Sequence, residues 1–526
     1  MTKNKKTVSI LLLFIIFCLF FRIDFRFKNS VECCSDDFDY FSHAETIAID
    51  RDFDYTNQLP DYHPFVFKYD GKIAPVGFPG SGILSSPFVF IGNTLDNLLN
   101  IDQDNDILNY KLLLYSISPI FYFFISYILL FKSLSILNIE SNKYLMLLLI
   151  SGSGITYFAF ERFSMTHVFE MFTVSFLIWN SVRFYKNRNN TSGFLIPLSL
   201  LIAFLVRMSN FYVFLIPLII KNLVKTRHRK KFSLLRNYYF IGSSIISTYF
   251  YTILSNKIYG KIIFNPQEVY GTNLSVNDVI SNENSLLALF IDIFRTSFKI
   301  FFGNEFGIFW ISPIIFVGLF LILSDFKNLR KPFNLLLLMC FAQNFAIVYI
   351  WKSTAASYGF RYLYSLVPLC VLIYFQYKDK KINKYLLNYA LIMSIFSNLS
   401  ILFFETTEKT QLSTTEIANS FGLIRNYVEP EYVTGVLGSF LELNSYLIIF
   451  TTSLLGVLIF KALILLFGTQ SILELLTNLG LPTDNQDFIN YLNNLEIIST
   501  NKLILITVFL LFFSYFIVYR LKFEKS

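Results

Sequence analysis

Three carboxylates fall within four positions, Asp36, Asp37 and Asp39, in the stretch "CCSDDFDYFSHAETIAIDRDFD". They follow closely on an apolar run of membrane-spanning character. Grouped carboxylates can take a proton from a hydroxyl as a general base, or hold a divalent cation. Further polar side chains stand where apolar runs end: Glu161, Arg162, His167 and Glu170; Arg207 and Asn210; Tyr259, Lys261 and Tyr270; Glu305; Lys352, Tyr358 and Arg361. Arginine presents a forked set of donors that matches a phosphate. Carboxylates, arginines and an apolar wall together suit a transfer in which a lipid phosphate departs. The acid deprotonates the acceptor, and fixed cations stabilise the charge that develops on the leaving group. Each residue also has a plainer explanation. Arg207 could snorkel to the interface, His167 could be a structural histidine, Glu161 and Arg162 a boundary pair, and the aspartates a solvated turn. Convergence on one face favours function, because ionisable groups are costly at membrane depth.

The elements that must position these residues follow from composition. Of 526 residues 54% are hydrophobic and only 15% charged, with mean hydropathy +0.53; soluble domains carry about a quarter charged residues. An all-α polytopic membrane protein is expected, because apolar runs of bilayer-spanning length recur and do not alternate as barrel strands would. Thirteen spans are expected, near 9–21, 112–131, 144–160, 165–182, 193–206, 208–221, 238–256, 306–324, 334–350, 362–377, 385–404, 445–467 and 502–519; one miscount would make them twelve. The first follows Lys3, Lys5 and Lys6 and shows no small-residue cleavage site, so it reads as an uncleaved anchor with a cytoplasmic N-terminus. A long first outer loop, 23–110, then carries "GILSSPFVFIGNTLDNLL", an amphipathic segment expected on the membrane surface.

Alternate connections, "RFYKNR", "KNLVKTRHRKK", "DFKNLRKP" and "YKDKKINK", hold the basic residues, and from a cytoplasmic N-terminus all four fall inside. The net charge of +8 therefore orients the chain, and no nucleic-acid partner is expected. Thirteen spans would leave the basic tail "RLKFEKS" outside, against the same rule. The run 285–303 holds Asp292, Arg295 and Lys299 and reads as an interfacial helix. Five cysteines make no disulfide framework. This orientation puts every candidate residue on the outer face of a multi-pass protein of the bacterial inner or plasma membrane.

The stretch Asp36-Asp37-Phe38-Asp39-Tyr40-Phe41-Ser42-His43-Ala44 resembles the first-loop pattern of the membrane-embedded glycosyltransferases of the C superfold, which include protein O-mannosyltransferases and aminoarabinose transferases. Asp37 stands where many of those proteins have glutamate. "FPGSGILSSPFVFIGN", "SMTHVFEMF", "FGNEFGIFWISP" and "WKSTAASYGFRYLYSLVP" resemble further segments of that superfamily in the same order. In the last, Gly359, Arg361, Tyr362 and Pro368 match, while Ala355 and Ala356 replace common glycines. The resemblance covers residues 1 to about 380, and 406–526 have no counterpart in it. It implies a catalytic core over 1–405 and an added outer loop with C-terminal helices over 406–526.

The resemblance further implies an inverting transfer from a polyprenyl-phosphate sugar to a lipid-linked or cell-envelope acceptor, lipid, glycan or protein. Asp36 would be the base or the metal-side acid, with Asp37 its partner, and Arg361 would contact the donor phosphate. Arg207 joins it from topology. So do Asp39, Tyr40, Glu161, Arg162, His167, Glu305 and Tyr358 as outer-face candidates. A magnesium or manganese ion on Asp36 is a cofactor this chemistry could use. Two rivals are an O-antigen-type polymerase or ligase and a lipid or glycan transporter. A transporter would place ionisable residues near span midpoints on broken helices. A polymerase would not need acids directly after the first span.

Overall fold

The computed structural model describes residues 2–23, 35–59, 66–101, 109–224, 233–270, 286–303, 307–324, 332–351, 358–377, 383–404, 437, 440–441, 443–478 and 486–522. The architecture is all-α, as expected, with one two-stranded hairpin among the described residues. Four described helices are long and apolar enough to cross a membrane: Tyr110–Ile136, Pro332–Ile350, Lys384–Phe403 and Thr500–Tyr519. Thr7–Phe20, Asn190–Val206, Phe211–Leu223 and Pro313–Ser324 are apolar but shorter. The expected 12–13 full-length spans are thus represented partly by short or interrupted helices, and the interruptions build the site.

Helix α1 (Thr2–Phe20) leads to Arg22, and α2 (Ser35–Glu45) opens with Asp36 and Asp37 in its first turn, where the helix dipole favours negative charge. Strands β1 (Val66–Tyr69) and β2 (Lys72–Pro75) pair antiparallel. Their turn is Asp70-Gly71, both at positive φ, a type of hairpin turn that Asp-Gly favours. Lys72 Nζ donates to the carbonyls of Asn256 and Lys257 at 3.1 and 2.8 Å, closing the C-terminus of α9 (Tyr238–Tyr259).

Helix α3 (Gly80–Leu98) is amphipathic, as expected, and its inner face is made of small residues. A Cβ on Gly82 would strike His43 of α2, and one on Gly80 would strike Val206 of α7 (Asn190–Val206). Small residues therefore let three elements close on one point. Asp96 accepts the backbone N–H groups of Tyr110 and Lys111 at 2.8 and 2.9 Å, fixing the start of α4 (Tyr110–Ile136), while Lys111 Nζ reaches Glu45 at 2.8 Å.

The expected span 144–160 is broken. Helix α5 (Lys143–Ser151) stops at Gly152, Gly154 adopts φ +80°, and the chain resumes as a wide turn over Tyr157–Glu161. The carbonyls freed by the break are answered locally. The Thr156 hydroxyl donates to Ser151 at 2.7 Å, and the Ser312 hydroxyl to Ser153 at 2.7 Å. That is how non-helical backbone survives in an apolar setting. Helix α6 (His167–Asn187) follows, and α7 ends at Arg207 in extended conformation before α8 (Ile216–Leu223).

The expected span 445–467 is corrected. It consists of two helices, Leu443–Thr452 and Leu454–Phe467, joined at Ser453. Phe450 and Phe460 have ring centroids 6.1 Å apart. Ten residues of straight helix would separate them by about 15 Å, so the chain doubles back. The tip of this hairpin meets the end of α1: Ile23 N–H donates to Thr452 and Leu454 N–H to Phe21, each at 3.1 Å. The last helix, Thr500–Lys522, packs on α1 and α4, with Phe513 5.8 Å from Phe17 and 6.0 Å from Phe124. The run 285–303 forms the helix Leu286–Phe302, which is not among the four long apolar helices.

Candidate active site

Successive residues of a helix point about 100° apart, so the acids of α2 fan out to different partners. Asp37 is fully buried, and Arg162 holds its Oδ2 with Nε at 3.3 Å and Nη2 at 3.2 Å. Asp39 is buried and accepts the Gly77 N–H at 2.8 Å. Burial pushes its carboxyl well above the usual carboxylate range; the Gly77 N–H works against the rise and Asp36 adds to it. Asp36 alone of the three reaches solvent, with 38% of its side chain exposed, and its Oδ2 lies 3.4 Å from Arg361 Nη1.

Gly77 ties α2 down from both ends of one residue. His43 Nε2 lies 2.8 Å from the Gly77 carbonyl, and Nδ1 lies 2.7 Å from the Tyr55 hydroxyl. A carbonyl only accepts, so Nε2 carries the proton and Tyr55 donates to Nδ1. Burial pushes His43 down to about 4, against the carbonyl that would favour its charge. No side chain fits at residue 77, since a Cβ would meet the Tyr40 ring at 2.8 Å and Asp39 at 2.9 Å.

A second set of groups comes from the turn after α5 and from α6. Glu161 pairs with Arg22 Nε at 3.5 Å. Glu170, in the first turn of α6, is buried. Its Oε1 lies 3.2 Å from Arg207 Nη1 and accepts from the Thr166 hydroxyl at 3.1 Å; its Oε2 accepts from Asn210 Nδ2 at 2.8 Å. His167 Nδ1 comes within 3.1 Å of the same Oε1, but off the line of a hydrogen bond, and its ring lies edge-on to Phe158.

Four arginine–carboxylate pairs therefore stand together: Arg22–Glu161, Arg162–Asp37, Arg207–Glu170 and Arg361–Asp36. In three of them the acid is buried, and only the last opens to solvent. Tyr362 joins two, with the Arg207 guanidinium 4.7 Å and the Arg361 guanidinium 5.4 Å from its ring centroid. Asp36, Arg207 and Arg361 all bear on the Tyr40 hydroxyl, whose pKa burial raises, as do nearby Tyr270 and Asp36. Among the described residues, two buried arginine donors of this cluster make no hydrogen bond, Arg361 Nε and Arg207 Nη1, and neither does either ring nitrogen of His167. Arg207 Nη1 meets Glu170 as an ion pair, not as an aligned hydrogen bond.

Of the residues singled out from the sequence, Asp36, Asp37, Asp39, Tyr40, Glu161, Arg162, His167, Arg207 and Arg361 come together. Tyr358 lies inside the protein, fully buried and stacked on Tyr157 at 5.0 Å. Glu305 falls outside the described residues. Arg22, Tyr55 and Gly77 were not anticipated. Arg22 had a signal, being an arginine at the very end of the first apolar run. Among the described residues no three His, Cys, Asp or Glu side chains converge. Asp36 and Asp37 each face an arginine, and Asp39 a peptide N–H.

No family model matches the chain, and no curated protein does. The crystal structure of the Archaeoglobus fulgidus oligosaccharyltransferase in the apo form is similar at a TM-score of 0.34 and 12% identity, over 84% of this chain and 55% of that one. The chain thus spans about half the length of that protein, and the likeness is too loose to bear on the reaction.

Proposed function

We propose that the chain is an integral-membrane glycosyltransferase that moves a sugar from a polyprenyl-phosphate donor to a lipid, glycan or protein acceptor on the extracytoplasmic face. The observation that carries this reading is the open pair Asp36–Arg361 beside Arg207. The half-exposed Asp36 carboxylate lies 3.4 Å from Arg361 Nη1, and the Arg361 and Arg207 guanidinium groups both lie against Tyr362, each with one buried donor that makes no hydrogen bond among the described residues. Buried donors without partners call for an explanation, and a phosphate oxygen supplies one.

In this mechanism Asp36 accepts the proton of an acceptor hydroxyl. The acceptor oxygen bonds to the anomeric carbon as the bond from that carbon to the phosphate oxygen breaks, with inversion. Arg361 and Arg207 take up the charge on the departing lipid phosphate, the kind of charge development that fixed cations stabilise best. Asp37 and Asp39 hold α2 in place, each through its buried partner.

Asp36→Asn tests the reading. The side chain is exposed, so yield and folding are expected to be unchanged. Transfer from radiolabelled undecaprenyl-phosphate hexoses and pentoses in membranes is expected to fall by about two to four orders of magnitude. Near-normal turnover in the variant would remove Asp36 as the base.

A further inference from the structure

Glu170 is buried and contacted by Arg207, Thr166, Asn210 and His167, and neither the mechanism nor the resemblance uses it. It sits at the N-terminus of α6, where the helix dipole supports its charge. Thr166 and Asn210 each donate to it, one per oxygen, so its orientation is fixed from two sides. What it meets in turn is Arg207 Nη1, at 3.2 Å.

Arg207 needs such support. It is the first residue beyond α7, in extended conformation, and no hydrogen bond from its Nη1 is found among the described residues. An arginine there has several rotamers open to it, and its long side chain loses entropy when held in one. Glu170 at 3.2 Å and the Tyr362 ring centroid at 4.7 Å both bear on the guanidinium and restrict where it can stand. Because the contact to Glu170 is Coulombic and not an aligned hydrogen bond, Nη1 keeps its donor capacity for a ligand.

We propose that Glu170 is a positioning residue that holds the Arg207 guanidinium against Tyr362, with its N–H groups free for the donor phosphate, while Thr166 and Asn210 hold Glu170. The inference rests on the reading of Arg207 as a phosphate contact. Two other roles for Glu170 give different outcomes. If it merely neutralised Arg207, removing its charge would strengthen anion binding. If it merely stabilised the fold, its effect would not depend on Arg207.

A double-mutant cycle decides, read as the Kd of purified protein in detergent for undecaprenyl phosphate, with undecaprenol as the control that lacks the phosphate. Glu170→Gln is expected to weaken undecaprenyl phosphate binding about tenfold and to leave undecaprenol binding unchanged. In an Arg207→Ala background it is expected to add nothing. Tighter binding in Glu170→Gln, or a loss that persists in the Arg207→Ala background, would overturn the positioning role. An unchanged Kd in Arg207→Ala alone would instead remove Arg207 from the phosphate site, and the inference would fall with the reading beneath it. Should Glu170→Gln fail to fold, Thr166→Val and Asn210→Ala enter the same cycle. Each loosens the acid without removing its charge, and losses of about threefold are expected, again absent without Arg207.

Discussion

Arg361 and Gly359 sit two residues apart, and substitutions at them should fail in different ways. Arg361 approaches Asp36, Met165 and Tyr362 through one flat guanidinium. Lysine would keep the charge and the long stem but lose the fork. Arg361→Lys is therefore expected to express and fold normally yet lose phosphate affinity. Gly359 works through the backbone. It adopts φ +71°, and a Cβ there would collide with the Tyr364 hydroxyl, which also presses on Gly154 at φ +80°. The left-handed conformation alone costs an alanine about 1–2 kcal/mol, and the collision adds to that. Gly359→Ala is expected to lower the thermal midpoint as well as activity, because Tyr364, which donates to the Tyr358 carbonyl, must move. A variant with unchanged thermal stability would show that the wedge of Tyr364 between the two glycines is not tight.

At the scale of elements, the position of Asp36 depends on how α2 is held to residue 77. His43 is neutral there, with its pKa pushed down by burial to about 4, while in an unfolded chain it titrates near 6.5. Between these values the unfolded state binds the extra proton. The stabilising contribution is thus complete above about pH 6.5 and is lost as pH falls toward 4, by up to about 3 kcal/mol. Asp39, raised by burial, titrates with the opposite sign, so the wild type alone does not isolate His43. Comparing thermal midpoints of the wild type and His43→Gln from pH 7 to pH 4.5 does. The wild type is expected to lose more stability than the variant across that window, and parallel curves would contradict the assignment of a buried neutral histidine.

How much of α2 was legible follows from the same contacts. The acidic run and its place after an apolar span marked it as a site, and Arg361 was reachable through its own motif. The pairing of Asp37 with Arg162 was not, since 125 residues separate them and either could have stood alone. Asp70-Gly71 announces a hairpin by turn chemistry, but in a chain dominated by apolar runs so short a signal does not stand out. The doubling back at Ser453 leaves no trace in hydropathy, because both arms are apolar. It shows only in the packing of Phe450 on Phe460 and in the space Gly456 leaves beneath the Phe450 carbonyl.

At the scale of the whole molecule that reversal predicts a cytoplasmic C-terminal tail. Counted as a span, 445–467 would place "RLKFEKS" on the same side as Asp36. As a hairpin that enters and returns, it leaves the count even. The last helix agrees, because Lys502 at its start lies near enough to bear on Asp96, beside the start of α4, and the helix then runs alongside α4 through Phe513. The two termini are expected on one side, the cytoplasmic one, and the four arginine–carboxylate pairs on the other. Cysteines placed at Asp54 and after Lys522, probed in intact cells with a membrane-impermeant thiol reagent, check this. Asp54 is expected to label and the tail to be protected; a labelled tail would mean that 443–467 crosses the membrane after all.

The central claim is that the open Asp36–Arg361 pair, with Arg207, receives a lipid phosphate. Its most direct measurement is the affinity of the purified protein for undecaprenyl phosphate against undecaprenol, in wild type and in Arg361→Lys. The wild type is expected to prefer the phosphate. Arg361→Lys is expected to lose about tenfold to a hundredfold of that affinity, the worth of a charge-assisted contact, with undecaprenol binding and protein yield unchanged. Equal affinity for phosphate and alcohol in the wild type, or an Arg361→Lys variant that binds the phosphate as tightly as the wild type, would contradict the account.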